Sequence, residues 1–384
     1  MNMPPPPGGW PNQPPGPTPG QPQYGPPTGQ QPYAGQQPYA PQAHWPQQPP
    51  PPPPPKGGGA IKWLLVAIAV LLVIGVTIGA TLLFTRSDGG NPSSPPTSGN
   101  ASDFASANDT GPVSIITEEP TCEAYTAINN ALASTESNGW NEIRQTIGPA
   151  ATWTEDQRTM MSGVAQAMRN GAEQVLPLAK RTPHRVMREL YEQFIAYGRA
   201  YAETIDTYTP SNNFLASTNV NAGRALMSVC DVIQYGATDR MLNVDALPPP
   251  DATATPEDLA SPSRFLLEGN QICSEWLAQN DSFNNATGEW QAAASDVAAA
   301  QWTPERRALQ ESTLPKLSAY AKDIYSLGQR SANPVLKDFS SAASLYLQAY
   351  VTSGAAYVPS DSFLVASAFR FGNIVTSACE AAST

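Results

Sequence analysis

Residues Tyr197–Asp231 (YGRAYAETIDTYTPSNNFLASTNVNAGRALMSVCD) recur 149 positions later as Tyr346–Glu380 (YLQAYVTSGAAYVPSDSFLVASAFRFGNIVTSACE), with 11 identities in 35 gapless positions. The matches include Tyr197/Tyr346, Tyr201/Tyr350, Tyr208/Tyr357, Pro210/Pro359, Phe214/Phe363, Gly223/Gly372 and Cys230/Cys379. The same shift carries Trp153-Thr154 onto Trp302-Thr303. One or two further residues bring Trp140 onto Trp290 and Cys122 onto Cys273. Two copies of one unit therefore occupy residues 121–243 and 264–384. The proline-rich stretch 244–263 between them reads as an interdomain linker.

Each copy reads as helical. Met187, Leu190, Phe194, Tyr197, Tyr201, Ile205 and Tyr208 recur at intervals of three and four, one face of a helix. Leu336, Phe339, Ala343, Tyr346, Tyr350, Gly354 and Tyr357 repeat that face in the second copy. Thr154 with Gln157 has capping-box spacing, and Thr303-Pro304 suits a first helical turn. Pro177 predicts a kink or break in its helix. A turn at Pro210-Ser211 or Pro359-Ser360 leads into the last helix, so the expected unit is a four-helix bundle. The predicted fold class is all-α.

The four cysteines allow three pairings, and the duplication chooses among them. Each copy has one cysteine in its first helix and one in its last, and these helices can lie side by side in a bundle. The predicted bridges are Cys122–Cys230 and Cys273–Cys379, which require an oxidising compartment.

Ahead of the repeats the chain changes character. Residues 1–55 hold 23 of the 41 prolines and no charged residue. Such a chain has too little apolar surface to offset its entropy, so residues 1–60 read as a disordered tail. Its polyproline stretches would dock a proline-recognising protein. Trp63–Thr85 (WLLVAIAVLLVIGVTIGATLLFT) is uncharged throughout and long enough for a helix to cross a bilayer, which predicts a transmembrane helix within 61–85. Lys56 and Lys62 against Arg86 favour a cytoplasmic N-terminus and an extracytoplasmic C-terminal part. Gly75 and Gly79 have the spacing of a helix-dimer contact, hence a homodimer. Residues 86–120, rich in Ser, Gly, Asn and Pro, read as a flexible exported linker.

The tail QPQYGPPTGQQPYAGQQPYAPQ, a single span, a Ser/Pro linker and an Ala-rich helical part resemble a broad class of uncharacterised actinobacterial, mycobacterial-type envelope proteins. The resemblance is one of architecture and implies a single-pass cell-membrane protein, with no functional residues carried over.

Chemistry-bearing residues are sparse. The chain beyond Thr85 has a net charge of −13, which argues against nucleic-acid binding. The two histidines are His44, in the tail, and His184, at a helix start. No phosphate-binding glycine loop, metalloprotease or nucleophile-elbow motif is present, so neither catalytic residues nor a metal or other cofactor are expected. Lys180, Arg181, Arg185 and Arg188 form the densest basic cluster and read as a solvated helix junction; the alternative is a patch that meets an anionic lipid or wall polymer. The five tryptophans beyond the linker read mostly as core or helix-start packing residues, and would suit a glycan or acyl chain if some lined a groove. The expectation is a non-enzymatic, membrane-anchored envelope protein. Its duplicated domains would bind or scaffold an envelope lipid, glycan or protein. The alternative is a sensor signalling through dimerisation at Gly75 and Gly79.

Overall fold

Nine α-helices follow one another in the computed structural model, which describes residues 103–238, 244–268 and 270–383. The first repeat contains α1 (Cys122–Glu136), the single-turn α2 (Trp140–Ile143), α3 (Glu155–Arg181), α4 (Arg185–Glu203) and α5 (Asn213–Gln234). The second contains α6 (Cys273–Gln291), α7 (Pro304–Gln329), α8 (Pro334–Ser353) and α9 (Ser362–Ala382). No strand occurs among the described residues.

The helix starts follow from local chemistry. Thr154 Oγ accepts from the Gln157 N–H at 3.2 Å while Gln157 accepts from the Thr154 N–H, closing the capping box of α3. Thr303 Oγ accepts from the Arg306 N–H and caps α7 ahead of Pro304, without a reciprocal bond. At Gly139, φ is +94°, a backbone that glycine adopts without strain, and it admits Trp140 to the core. Pro177 neither breaks nor ends α3, which runs on to Arg181. A proline so near the C-terminus costs one hydrogen bond of a helix otherwise held by packing.

Within each repeat the long helices close a four-membered ring. α1 packs on α3 and α5, and α4 packs on the same two; α6, α7, α8 and α9 repeat this arrangement. Every residue of the predicted aromatic faces is buried. The repeats mirror each other in detail. Trp153 Nε1 donates to the Gly148 carbonyl and its ring lies 5.2 Å from Tyr208; Trp302 Nε1 donates to the Val297 carbonyl and its ring lies 5.3 Å from Tyr357. Both predicted disulfides form, with Cα separations of 5.5 Å for Cys122–Cys230 and 5.4 Å for Cys273–Cys379.

The repeats are fused rather than strung apart: residues 101–384 cluster as one unit. α5 lies along α9 in the most extensive helix contact, and α4 touches α8. Asn221 meets Arg370, its own equivalent at the 149-residue shift, which is the signature of a pseudo-two-fold seam. Two segments without helical periodicity are also packed. Residues 103–120 bury Val113, Ile116 and Glu119, and the Ile116 N–H donates to Tyr346 Oη of the second repeat at 3.2 Å. Residues 244–268 form a strap along α4, with Leu259 and Leu266 buried.

The predicted transmembrane architecture is corrected. Among the described residues no helix is long and apolar enough to cross a membrane. The run Trp63–Thr85, with Gly75 and Gly79, lies outside the described residues, as do the tail and most of the linker. The fold class supported is all-helical with two disulfides, and no described helix supports the single-pass cell-membrane assignment.

Candidate functional site

The predicted anion patch is taken apart by the fold. Lys180 pairs with Asp103 at 2.8 Å at the end of α3, and Arg181 is exposed. Arg185 and Arg188 are 2% and 1% exposed, so no anionic polymer can reach them. The sequence pattern marks them as a solvated helix start. They are buried because α8, the strap and residues 103–120 close over that end of α4.

What these arginines build is a charge network across the repeat seam. Arg185 donates from Nε to Asp338 Oδ2 at 2.7 Å and from Nη2 to Asp338 Oδ1 at 3.2 Å, a two-pronged pair joining α4 to α8. Its remaining donors go to the Asp109 and Gly111 carbonyls, and Asp109 Oδ2 accepts from its backbone N–H at 2.7 Å. Arg188 donates to the Ala254 carbonyl of the strap and lies 3.7 Å from Glu189 and 3.6 Å from Glu192. Both Glu189 oxygens lack hydrogen-bond donors. Burial pushes the Glu189 carboxyl well above its usual range, with Asp338 adding to the rise and the arginines opposing it. Burial likewise raises Glu192 to about 7, against the pull of Arg188.

The strap is held through its backbone. Gln193 donates to the Ser263 carbonyl and accepts from the Phe265 N–H, Tyr197 Oη donates to the Leu266 carbonyl, and Arg199 donates to Leu259 and Ala260. Glu192 accepts from the Glu257 N–H at 3.2 Å.

Beside the network a cleft of about 380 Å³ opens between residues 105–116 and the start of α4, where Asn108, Asp109, His184 and Arg185 supply its polar groups. His184 faces the Glu118 carbonyl at 2.9 Å and occupies the N-cap position of α4 without capping it. Among the described residues no group of histidine, cysteine or carboxylate side chains could hold a metal ion. The tryptophans line no groove: Trp140, Trp153, Trp276, Trp290 and Trp302 are all buried, so the glycan or acyl-chain role falls. Glu119, adjacent to Glu118 in the sequence, is buried and accepts from Thr121 and Thr182.

This is a duplicated, disulfide-closed helical body whose most distinctive chemistry lies at the join between its halves. Residues 104–383 match the family model described as Mycobacterial ESX-1 associated protein, and the chain belongs to that family. A protein of Mycolicibacterium smegmatis (strain MKD8), described as uncharacterised, is 40% identical over 349 residues, covering 89% of this chain and 91% of that one. That likeness reaches beyond the family segment into the N-terminal region. No solved structure matches. The mycobacterial resemblance read from the sequence is thus supported, while nothing in these matches speaks for a membrane span or an envelope ligand.

Proposed function

We propose that the chain is a non-enzymatic binding or scaffolding component that works with the ESX-1 secretion system. The observation that carries this reading is the extent of the family match. Residues 104–383 take in both repeats, the packed N-terminal segment and the strap, so the family unit is the whole folded body. A body whose tryptophans and seam charges face inward suits recognition through its outer surface better than a reaction in a pocket.

The test is in a mycobacterium that carries ESX-1. The tagged full-length chain is cross-linked in the cell, and ESX-1 components are quantified against those of other secretion systems. Selective enrichment of ESX-1 components, with altered ESX-1 export on deletion of the chain, is expected. Equal recovery of components from every system, with unchanged export, would overturn the reading.

A further inference from the structure

Arg224 and Arg370 at the α5–α9 seam, and Arg144 packed against α5, have no ion-pair partner among the described residues. Arg144 is 5% exposed, donates from Nε to Asn213 Oδ1 at 2.9 Å and from Nη2 to Ser217 Oγ, and its guanidinium lies 4.4 Å from the Trp140 ring. Arg370, 9% exposed, reaches across the seam to Asn221 Oδ1 at 3.4 Å, its one side-chain hydrogen bond among the described residues. Arg224 lies one turn beyond Asn221 on α5 and is only partly buried.

The pseudo-two-fold brings two of these cations together. Asn221 donates to the Asn373 carbonyl across the seam. At the 149-residue shift, Asn221 corresponds to Arg370 and Asn373 to Arg224. The symmetry mate of the Asn221–Asn373 contact therefore sets Arg370 beside Arg224. Like charges so placed repel unless an anion lies between them.

The protein supplies almost no such anion. Among the described residues the one acid that acts on these cations is Glu136 at the end of α1, which reaches Arg144 and Arg224; one of its carboxylate oxygens is buried without a partner, and burial raises its carboxyl to about 7. Burial lowers Arg144 to about 10 and Arg370 to about 9, and each feels Arg224 as a further lowering influence. Three guanidiniums and one carboxylate leave a charge of +2, in a region whose net charge is −13.

We propose that Arg224 and Arg370, supported by Arg144, form an oxyanion site at the repeat seam that takes a phosphate group. A guanidinium fork matches phosphate oxygens in geometry, and a dianion balances the excess charge better than a single carboxylate does. The phosphate is either free or the terminal group of a larger monoester. The site does not depend on association with ESX-1.

Titration calorimetry on the purified full-length chain, at constant ionic strength, tests the proposal with inorganic phosphate and glycerol 3-phosphate as probes. Saturable phosphate binding is expected, weakened at least tenfold by Arg370→Met or Arg224→Gln and unchanged by Arg181→Gln. Tighter binding of glycerol 3-phosphate than of phosphate assigns the site to an esterified group, and the reverse assigns it to the free ion. No saturable binding, or binding retained in both seam variants, overturns the proposal. A second measurement separates ligand binding from a structural role. In phosphate-free buffer Arg370→Met should melt at or above the wild-type temperature, because it removes an uncompensated buried cation. A lower melting temperature there would make Arg370 a structural strut and overturn the assignment.

Discussion

In the first repeat Gly198 leaves room for Asn219, whose amide donates to the Phe194 carbonyl at 2.7 Å; a Cβ on Gly198 would fall 2.7 Å from that amide nitrogen. At the equivalent positions the second repeat has Leu347 and Ala368, both buried, and fills the space with hydrocarbon. The contrast extends along α4 and α8. Where α4 buries Arg185, Arg188, Glu189, Glu192 and Gln193, α8 carries Pro334, Lys337, Asp338, Ser341 and Ala342. One backbone plan thus supports two interiors, a polar one in the first repeat and a smaller, more apolar one in the second. The polar interior faces the seam. Duplicated copies that stay in contact are free to diverge where one can complete what the other lacks, as Asp338 does for Arg185.

The sharpest way to break this comparison is to remove the seam cation. Arg185→Met leaves Asp338 and Glu189 buried without it, and urea unfolding should show a loss of about 3–5 kcal/mol. Lys337→Met in the second repeat removes a cation whose partner, Asp251, is almost fully exposed, and should cost under about 1 kcal/mol. Equal losses would mean that the seam network contributes nothing beyond an ordinary surface pair.

The disulfides should show the repeats at their most alike. They close loops of nearly equal length, with sequence separations of 108 and 106. Replacing either pair by serines should therefore cost about 2–5 kcal/mol, by similar amounts in thermal melts. A clear inequality would locate a difference in packing around the two bridges.

Acidity should separate the halves again. A carboxyl whose folded value exceeds its unfolded 4.5 holds more protons when folded, so its contribution to stability is greatest in acid and declines as pH rises through the folded value. Glu189 and Glu192 both follow this sign, and Ser341 stands where the second repeat would have the latter. Wild-type stability should fall between pH 5 and 8, and Glu192→Gln should remove about 2 kcal/mol of that fall. A pH profile unchanged in Glu192→Gln would show that this carboxyl is already ionised in the folded protein.

The smallest effect concerns a matched pair of glycines. A Cβ on Gly223 would approach Tyr125 Oη to 2.9 Å and Phe194 to 3.3 Å, whereas one on Gly372 meets nothing within 4 Å. Gly223→Ala should cost about 1–2 kcal/mol and Gly372→Ala about nothing, or should stabilise slightly by restricting the unfolded chain. Equal costs would mean that the second core has no such free space.

What was legible in the sequence is what local chemistry or repetition writes down. The aromatic face of α4 follows from its three-and-four spacing, the starts of α3 and α7 from Thr154 and Thr303, and the cysteine pairing from the duplication itself. The seam was not legible. Arg185 and Arg188 read as solvated because nothing in their neighbourhood announces that α8 will cover them. Residues 103–120 and 244–263 read as linkers because their composition lacks periodicity. They pack through side-chain contacts to backbone groups, which leave no pattern in the residues that receive them. The apolar run at Trp63–Thr85 is plain in the sequence and lies outside the described residues.

Both covalent bridges stay inside their own repeat and join its first helix to its last. In polymer terms the chain from residue 122 to residue 379 is two closed rings in series, joined by a short connector. A force pulling on the two ends can unfold every helix and still not draw out the residues inside a ring. At about 3.5 Å per extended residue, each ring withholds roughly 370 Å of contour length until its bond is reduced. Oxidised and reduced chains should thus differ by about twice that in their final extension, so the thiol state of four sulfurs sets how far this protein can be drawn out into a line.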